Sequence, residues 1–280
     1  MKITFVAIMG EAKTEMSLLG HVEALRAHLW RAAIAIFAGA IIAFLFTKML
    51  FDNLIFGPYR EDFITRRIFC RLATQFDIEN LCLSGVKIEV FQEITMSGQF
   101  IWHIWAALIF GFILAFPYVV WEIWRFIRPA LMEKEVKSVR GITIYISLLF
   151  FIGVFFGYFL LAPITVNFLG NYSISAFIEK RPTFNSYIST ILNLTLGTGL
   201  VFQLPIFMYF LAKLGVVSAQ FLKTYRRHAY VIILILSAIV TPPDIASQIL
   251  IFFPLMFLYE VSIWVTRRVE RNRIKAEASN

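Results

Sequence analysis

The chain has little of what a catalytic or metal centre is built from. It carries four histidines and two cysteines in 280 residues. His21, His28, His103 and His228 are scattered along it, with no His-Glu-x-x-His pair of the zinc hydrolases and no Gly-x-Ser-x-Gly nucleophile elbow. Ser147, Ser237 and His103 fall in different apolar stretches with no motif joining them, so an intramembrane hydrolase lacks a nucleophile and base within reach. These gaps argue against an enzyme and give no reason to expect a metal or cofactor. An internal repeat and a low-complexity tract are also missing, which weighs against repeat-built secondary transporters. A small-solute or ion transporter is the alternative reading, but few polar groups are available to converge on a midplane cavity.

What the chain has in excess is apolar length. Apolar residues make up 59% of it and the mean hydropathy is +0.75, beyond what a soluble core hides. The expectation is an all-α integral membrane protein with one membrane domain, residues 29–265. Six spans are expected: Leu29 to Leu50, Phe100 to Val120, Gly141 to Leu161, Ile191 to Leu211, Ala229 to Val240 and Ile245 to Val265. Trp30, Trp102, Trp105, Trp121, Trp124 and Trp264 stand near their ends, where amphipathic rings suit the headgroup zone. The fifth stretch reaches only about 18 Å as a helix, so either the bilayer thins around it, the flanking cations snorkel, or it is a re-entrant or buried segment.

The net charge of +8 is not gathered into one basic stripe as nucleic-acid binding requires. It collects instead in residues 1–28, in the loops 121–140 and 212–228, and in a basic tail, 266–280. The loops 51–99, 162–190 and 241–244 carry far fewer cations, so the positive-inside rule puts both ends in the cytoplasm. Met1 to Gly20 lacks the long apolar region and small-residue cleavage site of a signal peptide and reads as a cytoplasmic tail. The loop 51–99 is long enough to fold as a cap outside the membrane. It holds Cys70 and Cys82, for which an oxidising compartment permits a disulfide that spacing alone does not establish.

Polar residues within apolar segments usually mark a partner, a pathway or a packed pair. Gln203 sits mid-span just before Pro205, as an interhelical hydrogen bonder or a docking contact. Glu122, Asp244, Gln248 and Glu260 lie shallower. Asp244 ends the rigid turn from Thr241 as an N-cap, or shares a polar patch with Gln248 one turn on. The amphipathic lead-in from His21 to Leu29 puts Glu23 and Arg26 on one face. The stretch from Phe126 to Glu135 offers acids in an otherwise basic loop.

In that order these segments resemble the TatC family, the multi-spanning receptor of the twin-arginine protein translocase. The lead-in is similar to its His-Leu-x-Glu-Leu-Arg-x-Arg-Leu segment. Trp124, Phe126, Ile127, Pro129, Ala130 and Leu131 with Glu135 resemble its first cytoplasmic loop, and Phe202-Gln203 with Pro205 its fourth span. Thr241-Pro242-Pro243-Asp244 with Ser247, Gln248, Pro254 and Glu260 resembles its last hairpin. The resemblance implies six helices in a curved receptor with short fifth and sixth spans, in the bacterial inner membrane. It would bind twin-arginine signal peptides of folded precursors and export them on the proton-motive force. The partners implied are TatA- and TatB-type single-span helices and further copies in a homo-oligomeric receptor complex. Glu135, Glu23, Arg26 and Phe126 are the implied signal-peptide contacts. Gln203, Thr241, Asp244 and Gln248 are the implied partner-helix contacts. The family's acid directly before Leu-Arg is Ala24 here, with Glu23 one place earlier, a rotation of about 100° on a helix.

Overall fold

The computed structural model describes residues 18–60, 62–77, 82–83, 91–127, 141–175, 177, 181–240 and 245–278, and among these the regular structure is helical apart from one isolated bridge. The helices are α1 (Leu18–Leu45), α2 (Ile64–Phe76), α3 (Gly98–Ile127), α4 (Ile142–Phe155), α5 (Ala162–Asn171), α6 (Phe184–Val201), α7 (Leu204–Lys213), α8 (Ala219–Thr224), α9 (Arg226–Val240) and α10 (Ile245–Ala278). A π-helical turn, Phe156–Leu161, joins α4 to α5 without a break. Four stretches are long and apolar enough to cross a membrane: Glu23–Leu45, Gly98–Ile127, Ile142–Asn171 and Phe184–Lys213.

Helix ends differ from the sequence expectation in a consistent direction. Residues 162–171 and 184–190, expected as an outer connector, are helical. Residues 121–127, expected in a loop, are the last turns of α3, and α10 runs through the basic tail to Ala278. Pro163 lies just after the π-helical turn inside the continuous run from α4 to α5; the Phe159 carbonyl that its missing N–H would leave open is taken by Thr65, and the helix continues. Pro205 acts more strongly. It removes the donor for the Val201 carbonyl, and the chain between α6 and α7 tightens into a turn in which Gln203 N bonds Leu200 O at 3.0 Å.

Lipid tails are as apolar as leucine, so helices associate through close backbone approach and interhelical hydrogen bonds. α1 crosses α3 at glycine: a Cβ on Gly111 would lie 2.7 Å from Ile36 O and 2.8 Å from Ala40 Cα. α4 meets α6 the same way, with a Cβ on Gly153 falling 2.7 Å from Thr198 O. There the Thr198 hydroxyl shares its proton between Leu194 O of its own helix at 2.6 Å and Gly153 O across the interface at 3.0 Å. Phe116 of α3 stacks on Phe150 of α4 with centroids 3.5 Å apart, beside this crossing. α7 packs against α10, which also carries α9.

The described residues between 49 and 95 cap one end of the bundle. A π-helical turn, Met49–Ile55, presents two carbonyls to tyrosines of the spans: Tyr158 donates to Leu54 O at 2.7 Å and Tyr187 to Ile55 O at 2.9 Å. Thr65 of α2 donates to Phe159 O. The bridge pairs Gln92 with Thr183 as α6 begins, and Cys70 is joined to Cys82 by a disulfide. Thr95 donates twice to Glu93 Oε1, at 2.9 and 2.6 Å. These bonds, led by the hydroxyl's, hold the Glu93 carboxyl below the usual range. This lock before α3 is therefore kept at neutral pH and lost as pH falls through that lowered value.

Gly111→Leu is expected to lower the thermal unfolding midpoint of the detergent-purified protein, since overpacking of this kind costs about 1–3 kcal/mol. Ile41→Leu, on the exposed face of α1, should leave it unchanged.

Candidate functional site

Because α1 and α3 run antiparallel, the first turns of α1 lie beside the last turns of α3. Four-residue spacing places Glu122 and Phe126 on one face of α3. Glu122 is 1% exposed, the one fully buried acid among the described residues. A lone carboxylate there would cost several kcal/mol, and three cationic or protonatable groups surround it. The His28 ring donates from Nδ1 to Oε2 at 2.5 Å. Arg31 stands 3.8 Å from Oε2 and Arg125 3.7 Å from Oε1, close enough for attraction but outside hydrogen-bond reach. Both arginines are about half exposed, at 51% and 48%, so their share of the pairing is screened.

His28 also meets Phe126 edge-on, with ring centroids 6.2 Å apart. One imidazole thus touches the buried acid and the aromatic of the next turn. Arg125 lies over the Trp121 ring at 4.8 Å, and Trp124 reaches Phe210 of α7 at 6.1 Å. The end of α7 is therefore gathered at the same end of the bundle. Glu23 and Arg26 are exposed on α1 and enter no ion pair among the described residues, while Ala24 is half-buried. Glu135, Thr241 and Asp244 lie outside the described residues.

The other sequence candidates are placed separately. Gln203 Nε2 reaches back to Gly199 O at 3.5 Å, while its Oε1 is buried without a hydrogen bond among the described residues. Gln248 donates to Leu234 O at 3.1 Å, a bond that closes α9 onto α10. Glu260 accepts from Arg226 at 2.8 Å and from Tyr230 at 2.9 Å, a second clasp between these helices. Glu270 accepts from Ala219 N at 3.2 Å and so ties α10 to α8. Among the described residues no group of three or more His, Cys, Asp or Glu side chains is placed to hold a metal ion.

Sequence reasoning singled out Glu122 and Glu260 but not their partners. His28 and Glu122 are 94 positions apart, and Arg226 and Glu260 are 34 apart, so no helical spacing links them. The usable signal was weaker: an acid in an apolar segment demands a cation somewhere, and the helix ends rich in cations are few.

Comparison with known proteins bears on the whole chain. The family model for the Sec-independent protein translocase protein TatC matches residues 20–254. A TatC of Blattabacterium sp. subsp. Periplaneta americana is 40% identical over 267 residues, covering 95% of this chain and 100% of that protein. A TatC of Carboxydothermus hydrogenoformans is 33% identical, covering 94% and 97%. Two crystal structures of the twin-arginine translocase receptor TatC, one of them in DDM, superpose with TM-scores of 0.66 and 0.69 at 29% and 30% identity. They cover 89% and 88% of this chain and 99% and 98% of theirs. On these matches the chain belongs to the TatC family of Sec-independent protein translocase proteins, a family of translocase components and not of enzymes.

Proposed function

We propose that this chain is the twin-arginine receptor of a bacterial inner-membrane translocase, with six spans, both ends in the cytoplasm, and short fifth and sixth spans completing a curved receptor. The observation that carries the reading is the convergence of the α1 lead-in and Phe126 on Glu122 at the basic end of a TatC-family chain. Arg31, Arg125, Lys213, Lys223, Arg226, Arg227, Arg267 and Arg268 belong to helix ends or helices gathered at that end. The positive-inside rule then makes it cytoplasmic.

Glu135 follows Phe126 by nine residues in the loop at this end, so its carboxylate is the acceptor for a signal guanidinium. The planar fork of arginine suits a carboxylate better than the point charge of lysine. Phe126 packs against the signal beside it, and Glu23 with Arg26 line the lead-in face. Glu122 acts through His28, holding the lead-in at a fixed height and rotation against Phe126. Single-span helices of the TatA and TatB type dock at Gln203, Thr241, Asp244 and Gln248, further copies join in a receptor complex, and the proton-motive force drives export.

Three measurements test this. Glu135→Gln in purified protein should weaken binding of a twin-arginine peptide about tenfold or more, the worth of a charge-assisted hydrogen bond, and leave a weak twin-lysine peptide unchanged. Equal binding by wild type and variant would remove the charge pair from the mechanism. Glu122→Ala should lower the thermal midpoint by several degrees because it leaves His28 and two arginines facing one another, with Glu122→Gln in between. A membrane-impermeant alkylating reagent added outside intact spheroplasts should label Cys70 and Cys82 only after reduction, and labelling from the cytoplasmic side of inverted vesicles would reverse the orientation.

A further inference from the structure

The cap helix α2 has three unlike faces. Thr65, Arg66 and Ala73 are buried. On that side Thr65 donates to Phe159 O, and Phe63, just before the helix, stacks on the Phe159 ring with centroids 5.7 Å apart. Arg67, Arg71 and Thr74 form an exposed polar face. Ile64, Ile68, Leu72 and Phe76 are exposed as well. Their four-residue spacing puts them in one slanting row, and at about 100° per residue the row lies between the polar face and the buried one.

What covers the row follows from where α2 starts. Phe159 belongs to Ile142–Asn171, a stretch of 30 residues long and apolar enough to cross a membrane. That helix is about 45 Å long, and Phe159 stands about 25 Å along it. A hydrocarbon slab roughly 30 Å thick that lies within this helix includes Phe159 wherever it is set. Lys134, Lys137 and Arg140 come just before the helix and set one edge of the slab near its first residue. Phe159 is then about 5 Å inside the other edge. Tied to Phe159 by its first turn, α2 begins at the boundary of acyl chains and headgroups, where amphipathic helices seat their apolar faces.

The polar face suits the same place. Arg67 has only a loose pair with exposed Asp62, at 3.9 Å, and Arg71 enters no ion pair among the described residues. Their long stems let both guanidinium groups reach the headgroup level while the row beside them stays in apolar surroundings. A second copy of this chain fits less well, since a stable protein interface takes about 20–30 residues a side and the row offers four.

We infer that α2 lies along the bilayer surface at the cap end, with Ile64, Ile68, Leu72 and Phe76 among the upper acyl chains and Arg67 and Arg71 at the phosphates of anionic phospholipids. The bilayer is then the outer wall of the cap.

The test uses the full chain in vesicles of phosphatidylethanolamine and phosphatidylglycerol, with benzoylphenylalanine as a photo-crosslinker in place of Ile68 or, as the control on the polar face, Thr74. Both positions are exposed, so the probe leaves the packing intact. Mass spectrometry of the intact chain should show phospholipid adducts at position 68 in clear excess over position 74. Among those adducts phosphatidylglycerol should exceed its share of the vesicle lipid about fivefold, the worth of one arginine near an anionic surface. That preference should disappear in Arg67→Gln/Arg71→Gln while the adducts persist. Equal lipid yields at the two positions, or an adduct at position 68 chiefly with a second copy of the chain, would overturn the inference. Lipid adducts without a preference for phosphatidylglycerol would overturn the part given to the arginines.

Discussion

Hydrocarbon offers no hydrogen bonds, and every polar group that this bundle places below the headgroups has to find its partner in protein. That constraint explains the two kinds of contact that hold the helices together. Where backbones touch, at Gly111 against α1 and Gly153 against α6, the absence of a side chain allows the approach and dispersion supplies the attraction. Some of the polar groups are aimed at carbonyls in or beside irregular turns. Tyr158 and Tyr187 bond carbonyls of the π-helical turn after α1, and Thr198 bonds Gly153 just before the π-helical turn after α4. The irregular turns therefore lie where neighbouring helices can satisfy them.

The ionised groups obey the same rule more strictly. Glu122 lies near the end of α3 and Glu260 about half-way along α10, and each is met by an arginine and by a ring donor, an imidazole in one case and a phenol in the other. Each clasp joins the two helices that pack most directly at that point, α1 with α3 and α9 with α10. Their positions divide the labour: the first fixes the lead-in helix beside Phe126, and the second fixes the terminal hairpin, whose 15-residue α9 is too short to gain much from its own apolar length.

How much of this was legible in the sequence follows from range. Apolar runs and cation asymmetry are properties of contiguous residues, so the four long spans stood out, as did the break at Pro205. Helix ends were misplaced where polar or proline residues punctuate a helix that tertiary contacts sustain: Pro163, Asn167 and Asn171 read as a loop but lie in α5. The pairs that build the site were not legible. His28 with Glu122 and Arg226 with Glu260 meet only because helices fold back on one another, and a one-dimensional pattern carries no register between distant helices. Gln248 illustrates the converse, since one N–H of its amide goes to Leu234 O within the hairpin, a local role that the sequence could not separate from docking by the rest of the amide.

The surroundings of Glu122 also bear on how a receptor lacking an acid at Ala24 would hold a cationic signal. Glu122 is the nearest buried carboxylate, yet it cannot substitute for the missing one. Its charge is already matched by Arg31 and Arg125, and His28 takes its Oε2, so a further cation would enter a region of net positive potential and displace a bond made in a low-dielectric site. Of the acids near this end, Glu23 on the lead-in is exposed, and the stretch after Phe126, outside the described residues, contributes Glu133 and Glu135 by sequence. Solvent weakens each such contact, which favours a planar donor that can make two parallel bonds over a point charge that makes one. On the proposed reading, with Ala24 where the family has an acid, discrimination between arginine and lysine would fall to the loop, and Glu122 would contribute by keeping the helix that borders it from turning.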